Sequence, residues 1–75
     1  MFEVQVTLQY PVDRPDNLIK VVESVGAFIT GMGNEWYVSG DSVATVVRGV
    51  VALVRVGYVL EVSDVQEQEP EAEGQ

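Results

Sequence analysis

Phe2, Val4, Val6, Leu8 and Tyr10 alternate with Glu3, Gln5, Thr7 and Gln9. This strict period of two predicts a strand with one buried and one wet face. Pro11 ends it, because proline has no N–H to give a ladder. Asp13, Pro15 and Asp16 then read as a helix entry. Asp13 supplies a cap, Pro15 is tolerated in the first turn, and Asp16 adds negative charge at the positive end of the macrodipole. Leu18, Val21, Val22 and Val25 follow at i, i+3, i+4 and i+7, and Gly26 sits at the left-handed stop position. A short helix of about three turns is expected.

Residues 27–32 and 35–39 are two short strands around Gly33-Asn34, a two-residue hairpin turn. On the second, Trp36 and Val38 share one face while Glu35, Tyr37 and Ser39 share the other. On the first, either Ala27 and Ile29 point inward or Phe28 and Met32 do, and periodicity leaves the choice open. A capping cluster at residues 39–42 precedes a valine-rich stretch. Valine disfavours helix, because its χ1 freedom is lost against the preceding turn. The pattern argues the other way. At 100° per residue, Val43, Ala44, Val46, Val47, Val50, Val51, Leu53 and Val54 fall in one half of the wheel. Ser42, Thr45, Arg48, Gly49, Ala52 and Arg55 fall in the other. A helix ending at Gly57 is expected, then a last strand over residues 58–62, where Tyr58, Leu60 and Val62 alternate with Val59 and Glu61.

The element order is β-α-β-β-α-β. Right-handed crossovers put both helices on one face of a four-stranded antiparallel sheet, so the expected class is α+β, ferredoxin-like. One domain over residues 1–63 is expected. Residues 64–75 lack apolar periodicity and are expected to be a disordered acidic tail.

Composition narrows the chemistry. The 75 residues are 47% hydrophobic, too apolar for a wholly disordered chain. The longest mainly apolar stretch, residues 43–56, is broken by Thr45, Arg48 and Arg55 and is too short to span a bilayer. The N-terminus carries no signal-peptide pattern, and a cytoplasmic location is expected. With neither cysteine nor histidine, disulfides, thiolate chemistry and the usual general base and metal ligand are missing. Four bases stand against twelve acids, a net charge of −8. Five of the acids lie in residues 64–75, leaving a net of −3 for the rest. Nucleic acids and anionic membranes are therefore not expected partners.

The candidate motifs mostly have structural explanations. Gly31-Met32-Gly33 begins like a dinucleotide fingerprint, but Trp36 replaces the third glycine and the segment joins two strands. Asp13, Asp16 and Asn17 are helix-capping residues without the spacing of a calcium loop, so no metal or other cofactor is expected. Glu3, Glu35 and Glu61 lie on neighbouring strands, yet an open wet sheet does not desolvate carboxylates into general acids. Tyr37 occupies a position suited to base stacking, but Gln5 and Thr7 on the first strand offer neither aromatic nor cation, which argues against RNA.

Asp13-Arg14-Pro15 with Leu18, then Gly26 and Ile29, resembles the start of an ACT domain over roughly residues 4–30. Asp16 stands where that family has a glycine. The resemblance implies this same topology and a dimer that binds an amino acid near Asp13, Pro15 and Asp16. The closing residues 57–62 also resemble heavy-metal-associated domains, but without their paired cysteines copper binding is not implied.

The expected function is a small, non-catalytic protein-interaction module, of the kind found among phage accessory and inhibitory proteins, with nucleic-acid mimicry as a special case. ACT-like sensing of a small molecule is the alternative. The expected protein-binding patch is Glu3, Gln5, Phe28, Glu35, Tyr37 and Glu61 on the open sheet face, an aromatic centre with a carboxylate rim. Self-association as a homodimer is also expected, since a domain of about 60 residues has a marginal core.

Overall fold

A computed structural model describes residues 1–12, 15–57 and 59–67. Its elements are β1 (Phe2–Leu8), α1 (Asp16–Glu23), β2 (Phe28–Met32), β3 (Glu35–Gly40), α2 (Val43–Arg55), β4 (Val59–Val62) and β5 (Gln66–Glu67). The chain is α+β, with two helices and an antiparallel sheet ordered β2-β3-β1-β4. The expected sheet had four strands. A fifth, β5, pairs with β1 through Phe2–Glu67 and Glu3–Gln66. Residues 66 and 67 are therefore part of the sheet, which corrects the expectation of a tail without structure from residue 64. Residues 68–75 of that tail lie outside the described residues, as do Asp13, Arg14 and Tyr58.

Alternation decides the layers. Val4, Val6 and Leu8 of β1 are buried, as are Trp36 and Val38 of β3 and Ile29 of β2. They meet Leu18 and Val22 from α1 and Val46 and Leu53 from α2, so both helices cover one face of the sheet. Among the described residues no polar or charged side chain is buried. The ambiguity in β2 resolves with Ala27 and Ile29 inward and Phe28 and Met32 outward.

The first helix is shorter than expected, at eight residues. Pro15 occupies the N-cap position with no side-chain cap, and its carbonyl accepts from the Ile19 N–H at 2.8 Å. Asp16 lies in the first turn, as expected, and Gly26 takes φ +88°, the left-handed geometry that ends the helix cheaply. Ser42 caps α2, its Oγ accepting the Thr45 N–H at 3.2 Å. The hairpin turn also holds the end of β1, since the N–H groups of Leu8 and Val12 donate to the carbonyls of Asn34 and Gly33.

The orientation of α2 differs from what its pattern suggests. Its buried residues are Val46, Gly49 and Leu53, so its core face is turned to include a residue assigned to the polar half. A Cβ at Gly49 would lie 2.9 Å from Val38 Cγ1 and 3.0 Å from Ala27 Cβ, with Val22 Cγ1 just beyond. The glycine lets α2 sit close to β3 and α1 at once. Closeness wins over wheel average, because dispersion and burial need contact. The consequence is that Val43, Val47, Val51 and Val54 stay between 43% and 53% exposed.

Candidate functional site

The second face of the sheet has no layer over it among the described residues. Pairing arranges its side chains in three rows across the strands. The first row runs Phe28, Ser39, Glu3, Gln66. The second runs Thr30, Tyr37, Gln5 and then Ser63, which bonds to Gln5 just beyond β4. The third runs Met32, Glu35, Thr7, Glu61.

All six expected patch residues share this face, but they do not form one tight cluster. Tyr37 is at the centre, 38% exposed, with Thr30 and Gln5 directly opposite it on either side. Phe28, 54% exposed, is a diagonal neighbour of Tyr37. Glu35 and Glu61 flank Thr7 from opposite sides, two strand spacings apart, or roughly 9–10 Å. Glu3 is four residues along β1 from Thr7, about 13 Å away. Glu3, Glu35 and Glu61 are thus on neighbouring strands but do not converge, because strand adjacency fixes neighbours across the sheet and not the row each occupies.

Met32 is the residue the sequence reading left out of the patch. It is 81% exposed and opposite Glu35, so it extends the apolar line that Phe28 and Tyr37 begin. The signal was available, since Met32 has the same parity as Phe28 on one strand. Ser63 was also missed. It lines a shallow recess of about 260 Å³ with Gln5, Thr7 and Glu61. That recess offers hydroxyl, amide and carboxylate groups, which suit hydrogen bonding at an interface.

Among the described residues, those that carried the ACT resemblance are not part of this patch. Pro15 is half-buried and Asp16 and Asn17 are exposed at the start of α1, while Asp13 lies outside the described residues. Among the described residues no three carboxylates converge as metal ligands do. No described helix is long and apolar enough to cross a membrane.

Compared with models of protein families, with curated proteins and with solved structures, the chain matches none.

Proposed function

We propose that this chain is a non-catalytic protein-interaction module that receives its partner on the open face of the sheet. The reading takes the fold as a ferredoxin-like βαββαβ arrangement extended by β5. One observation carries it: Phe28, Tyr37 and Met32 are exposed together on a face with no covering layer among the described residues, beside Glu35 and near Glu3. Aromatic and methionine side chains are enriched where protein surfaces anchor one another, with charged groups kept to the rim. The carboxylates favour a partner with basic residues around an apolar centre, which gives specificity and speed of encounter. Inhibition of a partner by occupying its phosphate site belongs to the same reading.

Immobilised chain and its Tyr37→Ala and Met32→Ser variants should be compared as baits in an extract of the source organism. The expected result is a protein retained by the chain and lost by both folded variants. Equal retention by folded variants would move the interface elsewhere.

A further inference from the structure

We infer that the outer valine ridge of α2, with the adjoining edge of β4, is the surface through which two copies of this chain associate. Val43, Val47 and Val51 repeat every four residues along α2, and Val54 continues the stripe; all four are about half exposed. α1 lies over β2 and α2 over β3 and β1, so β4 is left at the uncovered end of the helical layer. Val62 stands opposite Val6 and so faces the helix side, yet it is exposed, as is Leu60 at the register shift. Four of these side chains are on α2 and two on β4, the strand next to the α2-covered β1, and all six lie outside the core.

Three observations select a second copy as the occupant. The first is shape: a ridge of valines four residues apart is the unit that interdigitates with an identical ridge in the commonest helix-pair geometry. The second is charge. Each chain carries a net −8, but α2 contains no acidic residue, only Arg48 and Arg55. Those arginines share the groove against Val21 and Val25 of α1 with Val47 and Val51, so the valine stripe is bordered there by cations. Two acidic chains can therefore meet here without setting carboxylate against carboxylate, which the sheet face with Glu3, Glu35 and Glu61 does not allow. The third is area. The exposed fractions of the six side chains amount to on the order of 500 Å² per copy, or about 1,000 Å² in a pair, the lower bound for a specific interface. The dimer is therefore a weak one.

Sedimentation equilibrium of the full chain over a wide concentration range tests this, with circular dichroism to check folding. The expected result is a dimer that dissociates on dilution from high to low micromolar, with Val51→Glu weakening it about tenfold or more. Should Val51→Glu fail to fold, the isosteric pair Val47→Thr and Val51→Thr replaces it and should weaken the dimer in the same direction. Tyr37→Ala, on the other face, should leave the dissociation constant unchanged. A monomer at every concentration would overturn the inference and leave the ridge to a different partner. A dimer unaffected by the folded α2 variants would overturn it too, placing the contact away from the α2 ridge.

Discussion

Ser63 completes the hydrogen bonding of Gln5. Its N–H donates to the Gln5 carbonyl at 2.9 Å, and its Oγ accepts the Gln5 N–H at 2.9 Å. A side-chain oxygen thereby stands in for a ladder carbonyl at the point where β4 has ended and β5 has not begun. The pairing of β1 passes from Val6–Val62 to Glu3–Gln66 without leaving Gln5 unsatisfied. Ser63→Ala should cost about 0.5–1.5 kcal/mol, the usual worth of one such bond, toward the low end because the bond is exposed. Hydrogen exchange at the Gln5 amide should accelerate while that of Val38 changes little. Unchanged exchange at Gln5 would show the hydroxyl is not its partner.

The pairing of β5 predicts that chain length matters between residues 65 and 67. A chain ending at Glu67 retains the contacts of Gln66 and Glu67 with β1, whereas one ending at Val65 loses them. The shorter chain should melt a few degrees lower, about 4–8 °C per kcal/mol for a domain this small. Equal melting temperatures would mean β5 adds nothing measurable.

Gly49 should resist replacement. Alanine is the better helix former by about 1 kcal/mol, so propensity alone favours Gly49→Ala. The new methyl would press on Val38 and Ala27, however, and overpacking costs about 1–3 kcal/mol. The expected net change is a loss, read as a lower midpoint in urea. A stabilised variant would show that α2 can shift outward freely.

Trp36 and Tyr37 are neighbours in sequence with opposite roles. Trp36 is buried and its indole N–H donates to the Gly33 carbonyl at 2.9 Å, which ties the core to the hairpin turn. Trp36→Ala should cost about 3–5 kcal/mol. Tyr37→Ala should cost about 0.2–1 kcal/mol, the worth of its cross-strand contacts. Comparable losses for both, by urea denaturation, would contradict the two-faced sheet.

The cap of α2 offers a smaller test. Ser42 Oγ accepts the Thr45 N–H and lies 3.0 Å from Thr45 Oγ1. Ser42→Ala should cost about 1 kcal/mol, and Ser42→Asp should recover most of it, since aspartate caps as well.

What the sequence determined by itself is local. Alternation along β1 and β3 named Val4, Val6, Leu8, Trp36 and Val38 as buried, because a strand turns successive side chains to opposite faces whatever it packs against. It also put Tyr10 on that face, but β1 ends at Leu8 and Tyr10 is exposed. The α-helical period of residues 43–55 prevailed over valine's strand preference, since only a helix gathers those side chains onto one side. Tertiary structure decided the rest. Which parity of β2 faces inward depends on the helices above it, and they buried Ala27 and Ile29. The rotation of α2 was set by Gly49, whose missing side chain allows contact with Val22, Ala27 and Val38 together, leaving a valine ridge outside. The rows of the open face depend on strand register. Register comes from turns, bulges and bonds such as Ser63 to Gln5, between residues 58 positions apart, which no periodicity along the chain encodes.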